Sequence, residues 1–469
     1  MNIILLISDT FRYDNLLSEG EMPVRTPELD RFAERAVSCS RAYAASFPTV
    51  NHRTDLTSGR YGWPFYDWQP LQASTKNHIP QMLRPAGYVS QLLCDCPHLF
   101  NMGFNRGFDG AYAVRGQESD THFLRMNHPI EQMVAEGKAR SGNPAGGVFE
   151  KPAMVDLSRW TNRLWYREED CFPPQLARLV VEWLEENYRY DPFFLWVDFF
   201  DPHETWDPPE YMVRRYHPDY TGTPMISPNY GPADNYTPAE LRNLRAHYCA
   251  EAELVDRWVG RVLQKIDDLG LWENSIVVFT SDHGMSLGEH GRTGKCHLVP
   301  AVPGWYDRCW PVYPEIAHVP LMISAPGVEG GRTIDALLQP PDILPTVLDL
   351  AGVEVEPPEP FHGQSFAPML RGEAQDPINP FAVTSACLLP AGAAPPHISL
   401  APPVLYTDQW AYAPIGAESE VELFDLRTDP YAEQNIAQEH PKVVKELHGR
   451  LIAWLRKMGA HEKTLSVLE

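Results

Sequence analysis

Three long apolar runs, each ending in an acidic residue, constrain the fold more than any other feature of this sequence. NIILLIS precedes Asp9, PFFLWVDFF precedes Asp201, and NSIVVFTS precedes Asp282. Continuous apolar runs of this length are typical of strands that are buried on both faces of a parallel sheet. The carboxyl ends of such strands share one edge of the sheet, and ligands bind there. The sequence therefore predicts that these three acids, although distant along the chain, meet at one edge.

Helical patterns alternate with these strands. The clearest lies at 246–269, where apolar residues recur at helical spacing and Gly270 follows as a C-cap. The alternation predicts an α/β domain over residues 1–372. A composition break near 372–405 separates a C-terminal domain, residues 373–469, with short strand-like pieces and a terminal helix near 441–458. The proline-rich stretches 202–235 and 299–315 are predicted to be loops over a site.

The charge balance argues against several classes of partner. The 469 residues include 39 basic and 62 acidic side chains, a net charge of -23, and no basic block stands out. Nucleic acid and anionic membranes are therefore not expected to bind. The first apolar run is too short for a membrane span, and the eight cysteines are typical of reduced thiols. We expect a cytoplasmic protein that binds a small molecule, and the oligomeric state stays open, a homo-oligomer included.

The segment SDHG, residues 281–284, indicates a metal site. Asp282 and His283 follow a predicted strand and offer a carboxylate and an imidazole, a common pairing for Zn²⁺ or Mn²⁺. The pair alone is a weak indication, because Asp-His pairs are frequent in loops. Asp9 brings the number of ligands to three, which is the number that a catalytic metal site keeps while one position stays open. This set of donors accepts several ions, Mn²⁺, Zn²⁺ or Ca²⁺.

Seven stretches of the chain resemble the sulfatase branch of the alkaline phosphatase superfamily, in family order. They are NIILLISDTFRYDNL, SFPTVNHRTDLTSGRY, GYVSQLLCDCPHLFNMGFNRGFD, DFFDPHETWDPP, VDRWVGRVLQKIDDLGLWENSIVVFTSDHGMSLGEHGRTGK, HVPLMISAPG and VELFDLRTDPYAEQN. The resemblance implies an alkaline-phosphatase-like mixed α/β sheet flanked by helices, a smaller C-terminal α+β domain, and hydrolysis of small phosphate or sulfate esters. It also implies one divalent metal ion, held by Asp9, Asp282 and His283. Sulfatases usually have a second Asp where this chain has Thr10, so one ligand is lost or weakened.

The stretch SFPTVNHRTDLTSGRYG, residues 46–62, corresponds to the nucleophile segment of the family. Sulfatases read Cys-x-Pro-Ser-Arg here, with a Gly ten residues after a cysteine that becomes formylglycine. Counting back from Gly59 gives Thr49, and Arg53 takes the position of the arginine. Related phosphodiesterases and phosphoethanolamine transferases of the superfamily carry Thr at this place. The resemblance thus implies Thr49 as the nucleophile and as a further ligand of the metal ion, with no formylglycine.

The resemblance implies roles for several other side chains. His203 would give a proton to the leaving group, Lys295 would neutralise the transferred group, and Arg53 would contact its oxygens. Asp95 stands where the family has a lysine that contacts sulfate, and it is expected to meet a donor or cation of the substrate. The full set of expected substrate-binding residues is Asn51, His52, Asp95 and His297. A two-metal alternative would use Asp198, Asp201, His203 and His362.

These residues predict a metal-dependent hydrolase that cleaves phosphodiesters or phosphonate monoesters through a covalent Thr49 intermediate. In-line displacement at phosphorus needs only positioning and electrostatic stabilisation, whereas an esterified Thr lacks the second hydroxyl by which a formylglycine hydrate expels sulfate. Two alternatives stay open: a sulfuric ester hydrolase that works without formylglycine, and a catalytically inactive ligand-binding homologue. The stretches 110–175 and 202–235, expected to shape the pocket, match no motif that predicts a natural substrate.

Overall fold

The computed structural model describes residues 1–17, 21–66, 68–116, 138, 158, 162–295, 297–298, 306–308, 310–387 and 402–469. Its strands are β1 (Asn2–Ser8), β2 (Val37–Ala42), β3 (Ser46–Phe47), β4 (Val89–Cys94), β5 (Gly110–Ala113), β6 (Phe193–Phe199), β7 (Gly231–Pro232), β8 (Ser275–Ser281), β9 (Ser286–Leu287), β10 (Arg292–Gly294), β11 (His297–Leu298), β12 (Tyr306–Arg308), β13 (Leu321–Ser324), β14 (Arg332–Leu338), β15 (Ala382–Ala386), β16 (Val404–Tyr406), β17 (Trp410–Ala413) and β18 (Glu422–Asp425). Its α-helices are α1 (Pro27–Arg35), α2 (Thr49–Ser58), α3 (Ile79–Leu83), α4 (His98–Asn101), α5 (Phe172–Asn187), α6 (Glu210–Tyr216), α7 (Pro238–Asp268), α8 (Pro314–Ala317), α9 (Pro340–Ala351), α10 (Ala367–Leu370), α11 (Pro441–Met458) and α12 (Glu462–Leu468).

An eight-stranded sheet forms the centre of the fold, in the order β14-β2-β13-β8-β1-β6-β4-β5. Strand β1 lies between β6 and β8 and runs parallel to both, with Ser8 opposite Phe199 and Ser281. The antiparallel strand β13 makes the sheet mixed. The predicted fold class, a mixed α/β sheet flanked by helices, is confirmed. Because β1, β6 and β8 end at the same level, the residues that follow them share one edge.

Both faces of this sheet are covered, which explains the continuous apolar runs of the sequence. Every residue of β1, β6 and β8 is buried. Along β1, Ile4 and Leu6 pack in one core with residues of α1, α5 and α7. Ile3 and Leu5 point to the other face and pack in a second core with residues of α2 and α9.

The predicted helix at 246–269 is present but begins earlier, at Pro238. A capping box starts it: the Thr237 hydroxyl accepts from the Glu240 backbone N–H, and the Glu240 carboxylate accepts from the Thr237 backbone N–H. Gly270 follows the helix with a φ of 65°, a left-handed conformation that glycine adopts without steric cost. The prediction missed the first two turns because their exposed face interrupts the apolar pattern.

The prediction of a loop over 202–235 is wrong in part, because this stretch contains helix α6 (Glu210–Tyr216). Its apolar side chains Met212, Val213 and Tyr216 are buried in the first core. The helix spans only two turns between prolines and polar residues, so its apolar spacing is too short to be recognised. Most of the predicted loop at 299–315 lies outside the described residues.

A second sheet joins residues 46–47 to the C-terminal part of the chain. Its order is β18-β17-β16-β15-β3, and β15 runs parallel to β3, with Ser385 opposite Ser46 and Ala386 opposite Phe47. The predicted terminal helix is confirmed as α11, whose residues Leu447 and Leu451 pack with Leu405 of the second sheet. The boundary at residue 372 stays a prediction, because one strand of the smaller sheet comes from residues 46–47.

Two further observations concern membranes and thiols. Of the helices in the described ranges, none has both the length and the apolar character that a membrane span requires. The cysteines of the described ranges, at positions 39, 94, 96, 171, 249 and 387, are buried and form no disulfide there.

Candidate active site

Asp9, Asp282 and His283 meet at the carboxyl edge of the main sheet, whereas Asp201, whose carbonyl oxygen accepts from the Ser8 hydroxyl at the same edge, is not part of this group. All three side chains are fully buried, and one ligand atom from each lies within 4.8 Å of the others. The His283 Nε2 atom is 3.9 Å from Asp9 Oδ1 and 3.5 Å from Asp282 Oδ2. His283 Nδ1 donates to the Gly284 carbonyl oxygen at 2.9 Å, so Nε2 is left facing the carboxylates.

This group fits a divalent metal ion. Burial, and then the charge of Lys295, lower the pKa of His283 well below its usual range, so the imidazole is a neutral donor. Burial acts against the charged form of Asp282, but Arg53 and hydrogen bonds outweigh it and lower its pKa. Asp9 Oδ2 is buried and accepts no hydrogen bond within the described part of the chain. Two carboxylates and an imidazole oriented by a carbonyl are ligands that Zn²⁺ and similar ions accept.

Thr10, at the position of the family's second Asp, holds the two ligand carboxylates. Its hydroxyl donates to Asp9 Oδ1 at 2.7 Å, and its backbone N–H donates to Asp282 Oδ1 at 2.9 Å. The φ of Thr10 is 62°, a left-handed conformation that is strained for a β-branched residue. The hydrogen bonds to Asp9 and Asp282 hold Thr10 in this conformation, and in turn Thr10 orients the two carboxylates.

Thr49 is the first residue of α2, and its hydroxyl points to the cluster of Asp9, Asp282 and His283, called the metal group below. The Oγ1 atom is 3.4 Å from His283 Nε2, and 7% of the residue is exposed. Asp55 connects the segments on both sides of α2, because its carboxylate accepts hydrogen bonds from the backbone N–H groups of Ser46, before the helix, and Gly62, after it. The start of a helix also carries a partial positive charge and free N–H groups, which favour a negatively charged ligand.

The guanidinium of Arg53 lies among three buried carboxylates. Its Nε and Nη2 donate to the two oxygens of Asp198 at 2.9 and 2.6 Å, and Nη1 donates to Asp282 Oδ2 at 2.6 Å. Nη1 is also 3.2 Å from Asp9 Oδ2 and donates to the Thr49 carbonyl oxygen at 3.1 Å. These contacts make Arg53 the counterion of the ligand carboxylates. The expected contact with oxygens of the transferred group stays a prediction.

Asn51 and His52 lie on α2 and are fully buried. Asn51 Nδ2 donates to the Cys387 carbonyl oxygen at 3.4 Å, which connects the helix to the second sheet. Neither ring nitrogen of His52 has a hydrogen-bond partner among the described residues, and burial, followed by Arg53, lowers its pKa to about 3. A contact of either side chain with substrate stays a prediction.

Asp95 follows β4 and is fully buried. Its Oδ1 accepts from the Phe200 backbone N–H at 2.6 Å, while Oδ2 has no hydrogen-bond partner in the described ranges. Burial, together with the nearby charges of Asp198 and Asp9, raises the pKa of Asp95 to about 8, although the Phe200 bond lowers it. The expected contact of Asp95 with a donor or cation of the substrate stays a prediction.

His203 and Lys295 lie on the same side of the metal group, with Glu204 beside both. His203 Nδ1 donates to the Glu204 carbonyl oxygen at 2.7 Å, and its ring stacks on Phe200 with centroids 4.2 Å apart. The Lys295 Nζ atom is 4.0 Å from Asp9 Oδ1 and 3.8 Å from Glu204 Oε2. Glu204 is not among the site residues predicted from the sequence. A carboxylate directly after the motif histidine in DPHETW was the available signal.

Two residues of the predicted two-metal alternative have other partners. His362 accepts from the Tyr61 backbone N–H at 3.1 Å and lies beside Gly59, at the opposite end of α2 from Thr49. The carboxylate of Asp198 forms an ion pair with the guanidinium of Arg53. Within the described ranges, Asp9, Asp282 and His283 are the one group of this kind, so the two-metal alternative has no second cluster there. His297 lies in β11, and its side chain is outside the described part of the structure.

The chain is similar to known proteins over most of its length. A family model described as Sulfatase matches residues 1–353. An arylsulfatase of Clostridium perfringens is 25% identical over 396 residues, which are 79% of this chain and 78% of that protein. An ulvan-active sulfatase of Formosa agariphila is 25% identical over 99% of this chain and 82% of its own length. The crystal structure of a phosphonate monoester hydrolase of Agrobacterium radiobacter is similar with a TM-score of 0.72 and 22% identity, over 97% of this chain and 96% of that chain, and shows a shared fold.

Proposed function

Because the chain belongs to the sulfatase family, we propose that it is a metal-dependent ester hydrolase that cleaves phosphodiesters or phosphonate monoesters through a covalent bond to Thr49. The observation that carries the proposal is the Thr49 hydroxyl itself. It stands at the start of a buried helix, 3.4 Å from His283 Nε2, where sulfatases have a modified cysteine. A hydroxyl beside three metal-ligating side chains is a typical arrangement for a nucleophile.

The identity of residue 49 favours phosphorus over sulfur as the reacting atom. A formylglycine hydrate has two hydroxyls, so one can carry the ester while the other expels sulfate as the aldehyde forms. Threonine has one hydroxyl, and its ester is released only when water attacks the transferred group. Phosphoryl transfer proceeds readily by two such displacements, given positioning and charge stabilisation.

The remaining residues have separate tasks in this mechanism. Asp9, Asp282 and His283 would hold the ion, for which we propose Mn²⁺, Zn²⁺ or Ca²⁺. When bound, a divalent ion supplies a Lewis acid that favours the alkoxide and the developing negative charge. The Thr49 hydroxyl loses its proton to solvent, its oxygen bonds to phosphorus, the bond from phosphorus to the leaving group breaks, and His203 donates a proton to the departing oxygen. Water then attacks phosphorus and passes a proton to His203, the bond between phosphorus and the Thr49 oxygen breaks, and that oxygen regains a proton from solvent, while Lys295 stabilises the transferred oxygens.

A sulfuric ester hydrolase is the second candidate, and the sulfatases at 25% identity favour it. It would use the same nucleophile and release sulfate by attack of water at sulfur. A catalytically inactive homologue that binds a ligand is the third candidate. It would keep the metal group and bind anions without turnover.

A substrate panel with the metal-loaded protein tests the three candidates. The panel is bis(4-nitrophenyl) phosphate, 4-nitrophenyl phenylphosphonate, 4-nitrophenyl phosphate and 4-nitrophenyl sulfate, each with Mn²⁺, Zn²⁺ or Ca²⁺. Thr49→Ala should lower kcat by about 1,000-fold or more, because covalent catalysis is lost. Thr54→Ala is the matched control, since Thr54 lies on the same helix and its hydroxyl donates to the Val50 carbonyl oxygen.

The outcomes separate the candidates. Turnover of the diester or phosphonate with a phosphorylated or phosphonylated Thr49 peptide in the mass spectrum supports the proposal. Faster turnover of the sulfate ester would favour the second candidate, and metal binding without turnover of any compound would favour the third. Wild-type turnover in the Thr49→Ala protein would exclude Thr49 as the nucleophile.

A further inference from the structure

Glu204 brings a buried carboxylate to the side of the site where His203 and Lys295 lie. Its carboxylate is almost fully enclosed, with 2% of the side chain exposed, and Oε2 lies 3.8 Å from Lys295 Nζ and 3.4 Å from His203 Nδ1. Its Oε1 accepts from the Tyr230 hydroxyl. Lys295 Nζ in turn lies 4.0 Å from Asp9 Oδ1. Glu204 therefore sits one side chain away from the metal group, against the cation expected to stabilise the transferred oxygens.

The charges around the reacting centre balance when Glu204 is counted. A divalent ion offsets the carboxylates of Asp9 and Asp282, and the bidentate pair with Asp198 offsets Arg53. Glu204 offsets Lys295, so the four carboxylates, the two cationic side chains and a divalent ion named here sum to zero. Among these groups of the described residues, no surplus positive charge is left for a second negative charge on the substrate.

We propose that Glu204 is a specificity-determining residue that makes this site prefer a transferred group with one negative charge over a group with two. The inference rests on the proposed function, because it assumes that the transferred group lies between Thr49 and Lys295. The favoured class comprises phosphodiesters and phosphonate monoesters, and the disfavoured class comprises phosphate monoesters at a pH above their second pKa of about 6. A unit charge about 7 Å away, at an effective dielectric constant of about 20, changes affinity by on the order of tenfold or more.

The test compares two ligands that have the same aryl group and differ by one charge, phenyl methylphosphonate and phenyl phosphate, at pH 8. Binding is measured by calorimetry with Mn²⁺-loaded Thr49→Ala protein, which cannot form the covalent intermediate, with and without Glu204→Gln. The Glu204→Gln change should improve the affinity for phenyl phosphate relative to phenyl methylphosphonate by about tenfold or more. Tyr230→Phe, which removes a hydrogen bond to Glu204 and keeps its charge, should leave this ratio within about twofold.

A ratio that does not change in Glu204→Gln, or that changes equally in Tyr230→Phe, would overturn the inference. Lys295→Gln provides an independent arm, because removal of the cation should shift the ratio in the opposite direction, toward the singly charged ligand. The same sign of shift in both variants would also overturn it. Since these measurements need binding and not turnover, an absence of hydrolysis in the wild-type protein would contradict the proposed function and leave the Glu204 result readable.

Discussion

Replacing Asp198 by asparagine should destabilise the protein strongly, because Asp198 anchors the guanidinium of Arg53. Three donors converge on its carboxylate: Arg53 Nε and Nη2 at 2.9 and 2.6 Å, and Trp196 Nε1 at 2.9 Å. Nε and the indole N–H share the same oxygen. In Asp198→Asn one oxygen becomes an NH₂ group, so either one or two of these donors would face another donor.

The expected loss follows from the burial of the pair. Arg53 and Asp198 have no exposed side-chain surface, and breaking a buried ion pair by removing one charge costs about 3 to 5 kcal/mol. Urea unfolding, followed by tryptophan fluorescence and by far-UV circular dichroism, measures this loss as a shift of the midpoint. Asp408→Asn is the matched control, since Asp408 pairs with Arg427 at 2.7 Å with 59% and 62% of the side chains exposed, and should cost at most about 1 kcal/mol.

The same change should weaken metal binding. Without Asp198, the charge of Arg53 is offset by Asp9 and Asp282 alone, so the guanidinium competes with the ion for these carboxylates. Changes in the residues that support metal ligands typically cost 10- to 100-fold in affinity, and we expect about tenfold for Mn²⁺ by calorimetry. Asp198→Asn protein with the stability of Asp408→Asn and unchanged Mn²⁺ affinity would refute the reasoning, because Arg53 would then not depend on Asp198.

Three further predictions concern single side chains. The stability of Asp95→Asn relative to the wild type should increase from about pH 4 to pH 8, by at most about 1.4 kcal/mol per pH unit. Burial raises the pKa of Asp95 to about 8, so in this range the wild-type carboxyl ionises on unfolding and the wild type loses stability as the pH rises. A constant difference between the urea midpoints of the two proteins across this range would contradict the prediction. Burial acts against protonation of His290, but the buried carboxylate of Glu315, 3.6 Å away, outweighs it and raises the pKa of His290. The His290–Glu315 pair therefore stabilises the fold below about pH 6.5, and this stability is lost as the pH rises through the pKa of His290 in the folded protein. Wild type should therefore lose more stability than His290→Gln between pH 6 and 8.5, measured in the same way. Thr10→Val should weaken Mn²⁺ binding by about tenfold in calorimetry, because it removes the hydroxyl that holds Asp9, and unchanged binding would argue against this orienting role.

The strands and the metal group could be predicted because their signals are local. Each apolar run is buried along its whole length, and the residues after β1 and β8 supply Asp9, Asp282 and His283. Because β1 and β8 pair in parallel and in register, the acids that follow the two strands lie side by side at one edge of the sheet.

The charge partners could not be predicted in the same way. Asp198 lies inside an apolar run, where it reads as a strand-end residue, and its partner Arg53 is 145 positions away. The pairing of β3 with β15 joins Ser46 to Ser385 and depends on tertiary packing that no local pattern encodes. The raised pKa of Asp95 likewise follows from its complete burial, and the residues around it in the sequence do not indicate that burial.

The position of Thr49 depends on both sheets, and this links the C-terminal part of the chain to the chemistry. The first sheet ends in the carboxylates and the imidazole, whereas β3 of the second sheet leads directly into α2 and its first residue, Thr49. The distance between Thr49 Oγ1 and His283 Nε2 is therefore set by how the two sheets pack, and Arg53 provides a charged contact one helical turn later. Arg53 bonds to the Thr49 carbonyl oxygen and to Asp282 with the same nitrogen, so the helix and the strand edge are fixed relative to each other by a buried cation. Because three buried carboxylates surround that single guanidinium, a divalent ion removes a surplus of negative charge as it binds, and metal binding should stabilise the fold as well as activate the nucleophile.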